Sequence, residues 1–116
     1  MKLASALSTF GKSAALSLGS SAAARSLLAD LGSEDENVRT LAGMFLVRNG
    51  RRALPVLRQA LARREQLPTL LTILGDIAAP ESEAEIARYT DDDEPEVAQA
   101  AELALDAWRR NRARQG

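Results

Sequence analysis

The chain has 116 residues, of which 46% are hydrophobic but only 3% aromatic, and its formal net charge is −1. This length allows a single domain, in which Leu and Ala carry the packing and favour closely spaced helices over a β-sandwich. The sequence contains no Cys and no His. Their absence excludes disulfides, thiol nucleophiles, imidazole bases and metal sites built from those side chains.

The first three predicted helices are separated by short breaks rich in Gly and Ser. Apolar residues at helical spacing predict a first helix over residues 2–18, and a second follows over residues 22–31. Gly32 is expected to end the second helix in the left-handed conformation. Ser33 is expected to cap the N-terminus of the third helix, which runs to Asn49.

Prolines mark the starts of the four remaining helices, because the first turn of a helix tolerates a residue without an amide donor. These residues are Pro55, Pro68, Pro80 and Pro95. Beyond Arg109 the chain becomes polar, and we expect it to fray. The whole pattern predicts one all-α domain of seven helices over residues 1–116.

A related segment returns three times, starting at Val38, Leu67 and Val97, with steps of 29 and 30 residues. A fixed period of this size is typical of stacked helical repeats, each of which buries a face of its neighbour. Four further positions repeat with apolar or small residues: Leu41/Leu70/Ala100, Ala42/Leu71/Ala101, Phe45/Leu74/Ala104 and Leu46/Gly75/Leu105. We therefore expect two adjacent flanks of the second helix in each repeat to be buried.

The other recurring positions are expected to face outward and to form a binding surface for a protein partner. They are Thr40, Gly43, Val47, Thr69, Thr72, Asp76, Gln99, Glu102 and Asp106. We call these nine residues the candidate row. Its three acidic members favour a partner that carries a basic segment.

Charge is strongly segregated along the sequence. Residues 48–64 contain six arginines and no acid, whereas residues 76–106 contain eleven acids and only Arg88 as a base. This polarity leaves open a second hypothesis, in which copies associate through the basic middle and the acidic third repeat. The arginines could also contact phosphates, but the scarcity of aromatic residues and the acidic third repeat argue against nucleic acid.

Residues 28–42 (LADLGSEDENVRTLA), 71–80 (LTILGDIAAP) and 90–105 (TDDDEPEVAQAAELAL) resemble HEAT-like repeats. The resemblance is to the short bacterial type first associated with phycobilin lyases, within the armadillo-like superfamily. It implies a right-handed α-α superhelix with repeats at 22–50, 51–79 and 80–109. An N-terminal helix over 1–19 would cap the stack, and 110–116 would be a basic tail. The resemblance further implies an adaptor or scaffold, or alternatively an accessory subunit of a lyase or modifying enzyme.

Two departures from the family pattern concern charge. The resemblance implies an Arg after each repeated Val that reaches an acidic turn of an adjacent repeat, but only Arg39 remains, with Pro68 and Ala98 elsewhere. The acidic turn of the second repeat is replaced by Arg63 and Arg64. This replacement indicates either sequence drift or a binding site.

We expect no enzymatic activity and no cofactor, since no nucleophile–base pair or phosphate-binding loop is present. The acidic residues 91–94 are interpreted as helix caps rather than metal ligands. Residues 1–29 contain three bases and no acid, which allows three roles for the first helix: capping the stack, targeting or membrane contact, and docking a partner. We expect a cytoplasmic protein, with homo-oligomers possible.

Overall fold

The computed structural model describes residues 21–115, and all regular structure in this range is helical. The α-helices are α1 (Ser21–Asp30), α2 (Glu36–Asn49), α3 (Leu54–Ala62), α4 (Leu67–Ile77), α5 (Ser82–Ala87) and α6 (Pro95–Gln115). A short 3-10 helix, Gly50–Arg52, joins α2 to α3. The expected all-α class is confirmed for this part of the chain, where no strand occurs.

Six of the seven predicted helices are confirmed, and their ends follow the predicted breaks. Pro55 and Pro68 lie in the first turns of α3 and α4, and Pro95 is the first residue of α6. At these positions the missing amide hydrogen leaves no helical carbonyl without a donor. The helix predicted over residues 2–18, and with it the capping and targeting hypotheses, lies outside the described residues.

The residues predicted to cap the end of α1 and the start of α2, Gly32 and Ser33, were wrong. Asp35, rather than Ser33, caps α2, because its side chain accepts a hydrogen bond from the Asn37 amide at 2.9 Å. The Ser33 hydroxyl instead accepts one from the Asp35 amide. Gly32 is not left-handed, since the chain leaves α1 through right-handed turn bonds such as Gly32 N–H to Ala29 O.

The predicted fraying beyond Arg109 was also wrong, because α6 continues to Gln115. Its last turns are held by side chains that donate to carbonyls at the end of α4. Asn111 donates to the Gly75 carbonyl at 3.1 Å, and Arg112 and Gln115 approach carbonyls of the same helix end at 3.5 Å. Since the last carbonyls of a helix have no partner within it, this contact stabilises both helices.

The chain forms two compact units that divide between Arg63 and Arg64, inside the second predicted repeat. In the described part of the first unit, α1 packs against α2 and α3. Its core contains Leu27, Leu46 and Leu57, which are fully buried. Apolar side chains from three helices therefore close this unit around one core.

In the second unit α4 packs along α6, and the short α5 covers both helices. The core of this unit contains Leu70, Leu71, Leu74, Ile86 and Val97. The helices α4 and α6 approach closely where Gly75 meets the backbone of Ala104. A side chain at position 75 would hold them apart, so the residue there decides the spacing of the two helices.

The predicted burial of the repeated positions is confirmed in both units. The three equivalent residues Val38, Leu67 and Val97 are each at most 3% exposed. Of the other twelve positions, ten are buried, and only Leu41 and Ala100 are partly exposed. The periodicity of the sequence thus identified the buried flanks of α2, α4 and α6.

Candidate interaction surface

The candidate row is distributed over three helices. Its members on α2 are Thr40, Gly43 and Val47, its members on α4 are Thr69, Thr72 and Asp76, and its members on α6 are Gln99, Glu102 and Asp106. All six residues on α4 and α6 are exposed, as is Thr40, whereas Gly43 and Val47 are partly buried. The six residues of the second unit therefore form the more accessible part of the row.

The helices α4 and α6 are neighbours and run in the same direction. The three candidate residues of α4 therefore lie at the same heights along the helix axis as the three equivalent residues of α6. Arg64, just before α4, contacts Asp92, just before α6. At the other end, the Trp108 indole donates to the Ala79 carbonyl at 2.8 Å. Two parallel helices joined at both ends offer a surface with little freedom to rearrange.

The acidic members on α6 do not all face α4. Glu102 lies two helical turns before Arg109, whose side chain reaches Glu83 of α5 at 3.9 Å. Leu103 lies two turns before Arg110, which acts electrostatically on Asp76 of α4. The α6 surface is therefore divided, with Glu102 toward α5 and Leu103 toward α4.

The ionisation of Asp76, on α4, is perturbed by its surroundings. Partial burial raises the pKa of this carboxyl above its ordinary value of 3.8, and the nearby Arg110 guanidinium opposes the shift. Desolvation disfavours the charged form, so the carboxylate is less stable here than in free solution. A partner that brought a cation to Asp76 would relieve this penalty.

We expect Asp76→Asn to stabilise the protein at pH 7 but not at pH 3. Below 3.8 the wild-type carboxyl is protonated in both the folded and unfolded chain, so the raised pKa has no adverse effect there. As pH rises through the raised folded pKa, the folded state must bear an unfavourable charge, and stability is lost. Melting temperatures of both proteins at the two pH values measure the effect, with Asp106→Asn to correct for net charge. A variant less stable than wild type at pH 7 would contradict this account.

A second charged contact joins Arg64 and Asp92, and it was not among the predictions from the sequence. The Arg64 guanidinium donates to both carboxylate oxygens of Asp92, at 3.1 and 2.9 Å. This hydrogen bonding from Arg64, together with a bond from the Glu94 amide, lowers the pKa of Asp92 below its ordinary value. The basic turn of the second predicted repeat thus binds the acidic turn of the third.

The sequence feature that could have predicted this ion pair is the replacement of the acidic turn of the second predicted repeat by Arg63 and Arg64. A basic turn one repeat before an acidic turn places opposite charges about one period apart, and the two residues are separated by 28 positions. Arg39, the residue expected to bridge repeats, instead donates to the Ser33 carbonyl just before its own helix. Arg64 has a positive φ of 57°, a conformation that costs a non-glycine residue about 1–2 kcal/mol.

The acidic segment 91–94 acts as a helix start, as interpreted from the sequence. Asp92 accepts a hydrogen bond from the Glu94 amide at 3.0 Å, immediately before α6. Among the described residues, no group of three or more acidic side chains is arranged to hold a metal ion. Within the same residues, no helix has both the length and the apolar character needed to cross a membrane.

Two large apolar side chains of the described chain are exposed: Met44 at 59% and Leu103 at 63%. Neither residue belongs to the candidate row. The Trp108 ring is partly buried and its N–H is already bonded to the Ala79 carbonyl, so it is not an exposed anchor. Leu103 therefore is the exposed apolar residue that lies among the candidate residues of α6.

No protein-family model matches the chain, and neither a curated protein nor a solved structure matches it.

Proposed function

We propose that this protein is a non-catalytic adaptor that binds a protein partner through the parallel helices α4 and α6. The observation that carries this proposal is the exposure of all six candidate residues on these helices, of which Asp76, Glu102 and Asp106 are acidic. A rigid surface lowers the entropic cost of binding, because few side chains and no loops must be ordered.

The partner is expected to present a basic segment, such as a helix or tail that carries Arg or Lys. The acidic members of the candidate row attract such a segment, and a new cation would favour the charged form of the partly desolvated Asp76. Thr69 and Thr72 add hydroxyl groups near the acids, although the Thr72 hydroxyl already donates to the Pro68 carbonyl at 3.0 Å. Affinity is therefore expected to depend on the acids more than on the threonines.

We further propose that the three helix pairs α1–α2, α3–α4 and α5–α6 stack as a HEAT-like right-handed solenoid. Two observations support this arrangement: the equivalent burial of α2, α4 and α6, and the parallel packing of α4 and α6.

Charge reversal of the face tests the adaptor proposal. We expect Asp76→Lys combined with Glu102→Lys to abolish capture of the partner from a native lysate, because two attractive charges become repulsive. Quantitative mass spectrometry of the pull-down measures the loss, and circular dichroism checks that helical content is unchanged. Asp91→Lys with Asp93→Lys is the matched control, since it changes net charge equally in the turn before α6.

The two double variants are expected to differ in whether they still capture the partner. A specific partner should be retained by the Asp91/Asp93 variant and lost by the Asp76/Glu102 variant. Equal recovery of the partner by wild type and the Asp76/Glu102 variant would show that this face does not bind it. Equal loss in both variants would show attraction by net charge rather than by this surface.

A further inference from the structure

The surface of α6 contains a second pattern that the adaptor proposal does not use. Residues spaced alternately by four and three positions form one line along the helix: Glu96, Ala100, Leu103, Ala107, Arg110 and Arg114. We call this line the α6 seam. Such spacing places side chains on one stripe, as in the contact line of a coiled coil.

The α6 seam is accessible in the described structure. Leu103 at its centre is 63% exposed, Ala100 and Ala107 beside it are partly exposed, and Glu96 and Arg110 are exposed. The buried residues of α6 are Val97, Ala101, Ala104 and Leu105, none of which belongs to the seam. The centre of the seam, formed by Ala100, Leu103 and Ala107, is therefore small and apolar, and no described element covers it fully.

Two charges of the seam, one acidic and one basic, lie at equal distances from Leu103. Glu96 lies seven residues before it and Arg110 seven residues after it. In an antiparallel pair of α6 helices centred on Leu103, Glu96 of each copy would face Arg110 of the other. A parallel pair would instead place Glu96 beside Glu96 and Arg110 beside Arg110, which is repulsive.

We infer that the α6 seam binds a second copy of this chain, forming an antiparallel, two-fold symmetric pair of α6 helices. Self-complementary charge about a central apolar residue is the pattern that an isologous interface requires, because each patch must match itself. The two Leu103 side chains would pack together, with Ala100 and Ala107 allowing close approach. The interface is small, about 30 Å along a 21-residue helix, so association should weaken with salt.

This inference does not require the adaptor proposal, although one seam residue, Arg110, acts electrostatically on Asp76 of the candidate row. Glu102 belongs to the candidate row but lies off the seam, toward α5. Glu102→Arg should therefore leave the dimer intact, whereas it should weaken capture of a basic partner. Failure of one proposal does not imply failure of the other.

Charge exchange across the seam tests the dimer. In sedimentation equilibrium of the full chain at low salt, we expect wild type to dimerise. Glu96→Arg and Arg110→Glu should each weaken association at least tenfold, since each places like charges opposite one another twice. The double variant should dimerise again, and a mixture of the two single variants should form a heterodimer, because both restore opposite charges.

Leu103→Ser should also weaken the dimer, and Met44→Ser is its control, since Met44 is the other exposed large apolar residue of the described chain. Circular dichroism verifies that each variant is folded. A wild-type protein that stays monomeric at the highest accessible concentration would overturn the inference. Failure of both the double variant and the mixture to associate would overturn it equally.

Discussion

Replacing Gly75 by Ala is expected to lower the free energy of unfolding by about 1–3 kcal/mol, although Ala is the better helix former. A Cβ atom at position 75 would lie 2.6 Å from the Ala104 carbonyl oxygen and 3.2 Å from its Cα and carbonyl carbon. These are backbone atoms, so no side chain can rotate away, and α4 and α6 must separate. Urea denaturation followed by circular dichroism measures the loss.

Gly43 provides the matched control for this variant. It also lies inside a helix, but its added Cβ would meet only the Leu31 Cδ2 atom at 3.8 Å, an ordinary van der Waals contact. Gly43→Ala should therefore stabilise the protein by about 0.5–1 kcal/mol, the usual gain for removing glycine from a helix interior. If both variants were stabilised alike, the close approach of α4 and α6 would be contradicted.

Replacing Trp108 by Ala is expected to cost about 2–4 kcal/mol, slightly less than for a fully buried Trp. The substitution removes a large, partly buried ring and leaves the Ala79 carbonyl without the indole donor that lies 2.8 Å away. The contact also joins the end of α4 to α6. In thermal unfolding of Trp108→Ala followed by circular dichroism, the last turns of α6 should therefore lose their helical signal at a lower temperature than the rest of the protein.

Trp108→Phe separates packing from hydrogen bonding at this position. The smaller ring keeps most of the apolar contact but cannot donate, so we expect a loss of only about 1 kcal/mol. Thermal unfolding of wild type, Trp108→Phe and Trp108→Ala should give melting temperatures in that descending order. Equal stability of Trp108→Ala and wild type would show that the indole contact contributes nothing to the fold.

Two hydrogen bonds from α6 to the end of α4 explain why α6 is longer than the sequence indicated. Residues 109–115 contain four arginines and no large apolar residue, so their own pattern predicts a polar end. In the folded chain, the Asn111 side chain donates a hydrogen bond to the Gly75 carbonyl, and the Trp108 indole donates one to the Ala79 carbonyl. Because carbonyls at a helix end need external donors, the end of α4 stabilises the helical form of this polar segment.

The candidate surface was predictable only in part. Exposure of Asp76, Glu102 and Asp106 followed from helical period, since each lies opposite a buried flank. Leu103 and Ile73 occupy equivalent repeat positions, yet Leu103 is 63% exposed and Ile73 only 4%. Helical period cannot separate these two residues, because burial depends on what packs beside each helix.

The all-helical class, the positions of six helices and the buried flanks of α2, α4 and α6 follow from the amino-acid sequence. These features depend on local chemistry, namely Gly and Pro breaks and apolar residues at helical spacing, which are the same in any helical arrangement. The Arg64–Asp92 ion pair, the length of α6 and the exposure of Leu103 depend instead on tertiary packing. The ion pair and the end of α6 require groups that lie 28 and 29 residues apart in sequence and meet only after the helices have packed.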